Sequence, residues 1–220
     1  MVPPSDFREV SMIKGIIFDM DGVLADTEHF YQVRREDFLR RMDFSFPQDL
    51  DFVGSNERAI WEALVPDDPV MREEMLMGYR AYRRLHPVNY EELVDPDVRA
   101  VFEALKEDGK KIAIASSSDR EDIGKMMAAA GVEEMTDFVI SGVDCSAHKP
   151  NPEIYLRALK ALGLSKAEAI AVEDSPTGIM AAKNAGIKVY GIRPRHGEKI
   201  DQSAADGQIR KLSEVLKLIG

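Results

Sequence analysis

The chain has 220 residues, 45% of them hydrophobic, enough to bury the core of one large domain or of a domain with a modest insertion. Its formal net charge of −10 disfavours nucleic acid and acidic membrane surfaces as partners, no apolar run approaches the roughly 20 residues of a membrane span, and a lone cysteine, Cys145, excludes an internal disulfide. The N-terminal MVPPSDFREVSM has no signal-peptide apolar region, so the expectation is a cytoplasmic protein, monomeric or weakly homo-oligomeric, with no nucleic-acid and no membrane partner.

Residues 13–18, IKGIIF, read as a buried strand, closed by three carboxylates in IIFDMDGVLADT: Asp19, Asp21 and Asp26. Asp26 is expected to cap the helix that follows. From there to Leu93 no strand-like run occurs, only helical patterns broken at FPQDLDFVGS and VPDDPV, which predicts an all-helical insertion directly after the first strand. Within it EEMLMGYRAYRRL is expected to bury Met and Tyr in the insertion's own core and to solvate a basic face. Strand-like runs then return at 110–116, 137–141, 169–174 and 187–192. Helical stretches at 95–109, 119–131, 151–163 and 175–186 separate them. This alternation predicts an α/β fold with a parallel sheet covered on both faces. Asp95 is expected to cap a helix opened by Pro96, and Gly109, Gly131, Gly163 and Gly186 to end helices in the left-handed region.

Ligands of an open parallel sheet bind beyond the carboxyl ends of its strands. Those ends carry Asp19 and Asp21, Ser116 to Ser118, Ser141, and Glu173 with Asp174. Four acids gathered at one sheet edge repel one another unless a cation lies among them, and oxygen ligands of this kind suit Mg²⁺. The four histidines have no metal-ligand spacing. His86, His148 and His196 are expected at the surface, and His29 either at the helix surface or facing the site. Arg193 and Arg195 follow the last strand, where exposed arginines are the default.

DMDGVLADT resembles the first motif of the haloacid dehalogenase superfamily, IAIASSS its second, Lys149 in HKPNPEIY its third and VEDSPTGI its fourth, in order and at the expected strand ends. The insertion resembles the cap of the branch that includes β-phosphoglucomutase and many small-metabolite phosphatases. The resemblance implies a Rossmann-like catalytic core over residues 12–26 and 95–220 and a helical cap over 27–94. It implies that Asp19 is the nucleophile and becomes an aspartyl phosphate, and that Asp21 is the general acid and base, with Gly22 permitting a tight turn beside the phosphoryl group. Asp19, the backbone carbonyl of Asp21, and Asp174 would hold Mg²⁺, with Glu173 as a direct ligand or just behind. Ser116, with Ser117 beside it, and Lys149 would bind phosphoryl oxygens. In the cap loop at 52–58, Asn56 and Arg58 would contact substrate, with Arg80, Arg83 and Arg84 as alternatives.

The expected activity is therefore a Mg²⁺-dependent phosphohydrolase of a small phosphorylated metabolite, with a sugar phosphate as the leading class. The rivals are a β-phosphoglucomutase and a catalytically silent binding module. The mutases carry a histidine where this chain has Tyr31, and an arginine where it has Glu57, which favours hydrolysis over isomerisation.

Overall fold

Ile16, Ile17 and Phe18 have no exposed surface, with Ile16 and Phe18 packed in one hydrophobic cluster and Ile17 in another. Alternate side chains of a strand leave opposite faces, so an unbroken apolar run lies between two covering layers. The structure, a computed structural model, describes residues 12–45, 52, 57–197 and 199–219. Its six-stranded sheet is formed by β1 (Gly15–Phe18), β2 (Lys111–Ser116), β3 (Phe138–Ser141), β4 (Ala169–Glu173), β5 (Lys188–Ile192) and β6 (Gly207–Ile209), in the order β3-β2-β1-β4-β5-β6. Every neighbouring pair is parallel, with Phe18 opposite Ile114 of β2 and Val172 of β4. The chain steps outward from β1 through β2 to β3 and then returns to the other side of β1. The order thus reverses between β1 and β4, where an open α/β sheet leaves its ligand crevice.

The helices are α1 (Thr27–Arg41), α2 (Glu57–Leu64), α3 (Pro69–Leu85), α4 (Tyr90–Leu93), α5 (Val98–Glu107), α6 (Arg120–Ala130), α7 (Glu153–Leu162) and α8 (Pro176–Ala185). Residues of α5 and α6 join the cluster of Ile16 and Phe18, where Phe18 stacks on Phe102 at 5.3 Å, while α7 and α8 cover the opposite face. The four glycines expected at helix ends have φ between 64° and 77°. Each of the five expected strands is present, with ends within two residues of the reading. The sixth, β6, has no counterpart among the expected runs.

Among the described residues between β1 and α5 the regular elements are the helices α1 to α4, as expected of the insertion, and they own a separate apolar cluster of Phe38, Leu39, Ile60, Trp61, Leu64, Val65, Met75 and Tyr79. Two capping expectations fail. Asp26 precedes α1 but has φ −81° and ψ 59° instead of the extended backbone of a capping residue, and makes no side-chain bond to the first turn. Its carboxylate lies 2.8 Å from His196 Nε2 instead. Asp95 closes a turn on the backbone N–H of Asp97 (2.8 Å) and pairs with Arg195 (2.7 Å), so α5 starts at Val98, beyond Pro96. No helix among the described residues is long and apolar enough to cross a membrane.

Candidate active site

Asp19 is still held in the sheet, its N–H donating to Val172 O at 2.9 Å, and the chain then turns sharply: the N–H groups of Val23, Leu24 and Ala25 all point at Met20 O. Gly22 sits at φ 73°, and a Cβ there would run into the Asp174 carboxylate. The glycine is therefore what lets the turn after β1 press against the end of β4, bringing the acids of two strands together.

Asp19 Oδ1 accepts from Lys149 Nζ at 2.5 Å, and the same ammonium donates to Glu173 Oε1 at 2.6 Å and Ala115 O at 3.1 Å. All three donors of the lysine are thereby used. Glu173 has no exposed surface, and each of its oxygens is engaged, Oε1 also by Tyr155 Oη at 2.6 Å and Oε2 by Ser175 Oγ at 3.2 Å. Burial alone would lower the Lys149 ammonium, but Asp19 and Glu173 outweigh it and hold it above its ordinary value. Asp19 is pushed up from 3.8 to about 8 by burial, with Lys149 opposing and Glu173 and Asp21 adding to the rise.

Asp174 differs: buried, it accepts no side-chain hydrogen bond from any described residue. Burial first, then the charges of Glu28, Asp19, Glu173 and Asp21, push it well above the usual carboxylate range. Oxygens of Asp19, Glu173 and Asp174 lie within 4.8 Å of one another. An unpartnered buried carboxylate beside a second one fits a hard divalent cation, and Mg²⁺ takes one or two carboxylates, leaving its other positions to water and phosphate. Glu173, with both oxygens committed to protein donors, is placed to hold Lys149 behind that pair.

Asp21 turns away from this group. Its Oδ1 accepts from Thr27 Oγ1 at 2.5 Å, and its Oδ2 from Ser118 Oγ at 2.6 Å and Ser116 Oγ at 3.4 Å. Burial, followed by the charge of Asp21, pushes the Tyr31 phenol well up. Two carboxylates two residues apart thus occupy different surroundings, one among charges and one among hydroxyls.

Of the site residues expected from sequence, the structure brings Asp19, Asp21, Gly22, Ser116, Lys149, Glu173 and Asp174 together at the reversal of strand order. Ser116 directs its hydroxyl to Asp21, and Ser117 is exposed beyond the end of β2. Asn56 lies outside the described residues. Arg58 is exposed, with 87% side-chain accessibility, and pairs with Glu62 of its own helix. Glu57 binds Arg80 at 2.6 Å, and Arg83 reaches Asp119 at 3.5 Å. His29 is exposed and stacks on His196 at 4.6 Å. Sequence reasoning placed Ser118 among the strand-end residues without giving it a role, although alternation past the end of β2 returns it to the side of Ser116, and it missed Thr27, Tyr155 and Glu28.

A family model of haloacid dehalogenase-like hydrolases matches residues 16–192. The chain is 30% identical over 216 residues to the pyrophosphatase PpaX of Halalkalibacterium halodurans, covering 94% of this chain and 97% of that protein. It is 30% identical over 188 residues to a phosphorylated carbohydrates phosphatase of Thermotoga maritima, covering 82% and 85%. Among solved structures, β-phosphoglucomutase from Clostridium difficile superposes with a TM-score of 0.72 at 20% identity, over 93% of each chain, a likeness of fold.

Proposed function

The chain belongs to the haloacid dehalogenase-like hydrolases, and we propose that it is a Mg²⁺-dependent phosphatase of a small phosphorylated metabolite, a sugar phosphate being the leading class. The observation that carries this is the division of labour between Asp19 and Asp21: one carboxylate clamped by a buried lysine beside the candidate cation site, the other held by hydroxyl groups alone. Relatives named as a pyrophosphatase and a phosphorylated carbohydrates phosphatase support the substrate class.

Asp19 and Asp174, with the backbone carbonyl of Asp21, would hold the ion. When bound, it supplies positive charge to the equatorial phosphoryl oxygens and keeps the two buried carboxylates ionised. Lys149, bonded to Asp19, adds its own positive charge and holds that carboxylate for in-line attack on phosphorus. The P–O bond to the leaving group breaks as the Asp19–phosphorus bond forms, and protonated Asp21 gives its proton to the departing oxygen. Asp21 then takes a proton from water, the water oxygen attacks phosphorus, and phosphate leaves with Asp19 restored. Thr27 and Ser118 keep Asp21 aimed between those steps. Residues 27–94 act as the cap that chooses the substrate.

Hydrolysis is favoured over mutase chemistry because Glu57, in place of the mutase arginine, is an acid already bound to Arg80, and Tyr31 replaces the mutase histidine. The test is a screen of purified protein with Mg²⁺ against phosphorylated sugars, nucleotides and small acids, measuring free phosphate and isomerised product together. Phosphate release that vanishes in Asp19→Asn supports the proposal. Glucose 6-phosphate forming from β-glucose 1-phosphate much faster than free phosphate would replace it with a mutase.

A further inference from the structure

Glu173, the last residue of β4, has an oxygen within 4.8 Å of oxygens of Asp19 and Asp174, close enough to complete a set of three carboxylates. Its side chain is nevertheless fully buried, and its two oxygens are held by Lys149 from the loop before α7, Tyr155 from within α7 and Ser175 from the start of α8. Lys149 also holds Asp19, and the Ser175 hydroxyl also caps α8, accepting from Gly178 N at 3.1 Å. The Tyr155 hydroxyl differs, because its bond to Glu173 Oε1 at 2.6 Å is the one it makes among the described residues. Its ring packs in the apolar cluster of Ile17 and Ala113 and lies 5.3 Å from Lys149 Nζ, and a phenylalanine would keep both contacts. What the phenol adds is the hold on Glu173. Burial, followed by the charge of Glu173, pushes it well above its ordinary value, so it remains a donor.

The same carboxylate rests on a glycine. Gly178 lies in the first turn of α8, and a Cβ there would overlap both oxygens of Glu173. Its backbone is that of an ordinary helix, so the glycine supplies room for the acid and nothing else that the turn requires. Glu173 is thus drawn back against α8 and bonded there. Asp174, the next residue, accepts no side-chain hydrogen bond from a described residue and keeps its oxygens for an ion. Groups that bond a metal site's own surroundings decide which of its acids face the metal and in what direction.

We propose that the Tyr155 hydroxyl and the Gly178 backbone hold Glu173 away from the cation, so that the ion meets two side-chain carboxylates instead of three, and that this tether selects Mg²⁺ over Ca²⁺. Mg²⁺ keeps several waters and takes one or two carboxylates, whereas Ca²⁺ accepts roughly six to eight oxygens in a looser arrangement and gains from a third carboxylate. Tyr155 is then a positioning residue that acts through Glu173. The inference rests on the cation site of the phosphatase reading and adds the residues that choose the ion.

The experiment measures, by calorimetry at one pH, the binding of Mg²⁺ alone and of Ca²⁺ alone to the full-length protein, to Tyr155→Phe and to Gly178→Ala. Both ions displace the same protons from the acids, so the ratio of their affinities isolates the ligand set. The unmodified protein should bind Ca²⁺ no more tightly than Mg²⁺. Tyr155→Phe should shift the ratio toward Ca²⁺ by about tenfold or more, and Gly178→Ala, which pushes the carboxylate off α8, should shift it the same way. Adding Glu173→Gln to Tyr155→Phe should abolish the shift. A general loosening of the core would weaken both ions by the same factor, and an unchanged ratio in the folded variants overturns the proposal. So does a shift that persists without the Glu173 carboxylate. Ca²⁺ bound more than about tenfold tighter than Mg²⁺ by the unmodified protein overturns it whether or not a variant folds. Phosphate release, assayed separately, keeps the two readings apart. A shifted ratio in a protein that hydrolyses no ester removes the phosphatase and leaves the tether, hydrolysis with an unchanged ratio removes the tether alone, and binding of neither ion to the unmodified protein sinks both.

Discussion

Ser118 serves Asp21 much as Lys149 serves Asp19, holding one oxygen so that the other keeps its direction. Its hydroxyl lies 2.6 Å from Oδ2, and a hydrogen bond to a charged acceptor contributes about 1.5–3 kcal/mol. Ser118→Ala is therefore expected to lower kcat about tenfold to a hundredfold with little change in KM, since Asp21 enters the reaction only as protons move. Steady-state kinetics beside a thermal melt checks this, and an unchanged kcat would reduce Ser118 to a loop contact. Asp19→Asn is expected to abolish turnover without lowering the melting temperature, because an amide neither attacks phosphorus nor adds charge to a crowded acid group. Activity within tenfold of the parent would remove Asp19 from the role of nucleophile. Asp19, Asp21 and Asp174 stood out in the sequence because charged groups at the ends of buried strands are costly without a purpose, whereas Lys149, in the loop before α7, stood out only through the family resemblance. Thr27 and Tyr155 did not stand out, and Ser118 was named only as a strand-end residue without a role: hydroxyl residues are common in loops and helices, and what sets these three apart is which carboxylate lies opposite in three dimensions.

At the scale of elements, the strands that cross the core announced themselves through runs that are apolar on both faces. β6 did not, since of Gly207, Gln208 and Ile209 only the last is buried, which leaves no periodic signal. The start of α5 was misplaced for a related reason: Asp95 has both the composition of a cap and an arginine, Arg195, that claims its carboxylate from the far end of the chain. The insertion was readable as helical, and its separate cluster makes its stability measurable apart from the sheet. Phe38, 4% exposed, packs edge-on against Trp61 at 6.1 Å and against Tyr79 at 5.4 Å. Phe38→Ala should cost the insertion about 3–5 kcal/mol. Trp61 is the chain's single tryptophan, so its fluorescence follows the insertion while far-ultraviolet circular dichroism follows the whole molecule. The fluorescence midpoint should fall further than the dichroism midpoint. Coincident midpoints would mean that insertion and sheet unfold as one unit.

Over the whole molecule, the buried acids tie stability to pH and to the cation. Without a bound ion, Asp19 is raised from 3.8 to about 8 and Asp174 well above its ordinary value, both chiefly by burial. Between about pH 4 and pH 8 the folded chain keeps protons that the unfolded chain has released, so these two acids make stability fall as pH rises through that window. Carboxylates held below their ordinary values act with the opposite sign. Glu153, lowered chiefly by hydrogen bonds from Ser146, and Asp206, lowered by Lys183 and Val189 N–H against its burial, contribute stability above about pH 4 that is lost on further acidification. They shape the acid limb, while Asp122, raised by burial and by Asp119, acts with the same sign as Asp19 and Asp174. Lys149, raised above its ordinary value, keeps its contribution throughout the range from pH 5 to 8. In excess chelator the melting temperature should therefore be higher at pH 5 than at pH 8. Mg²⁺ binds the folded, deprotonated pair and competes with its protons, so the stabilisation it adds should grow from pH 5 to pH 8 and follow mass action in its concentration. Asp174→Asn should flatten the pH dependence and remove most of the Mg²⁺ increment, which separates the acid pair from any general effect of salt. Melting curves at several Mg²⁺ concentrations and two pH values suffice. A midpoint in chelator that does not change between pH 5 and 8, together with no increment from Mg²⁺, would show that Asp19 and Asp174 are not a cation site.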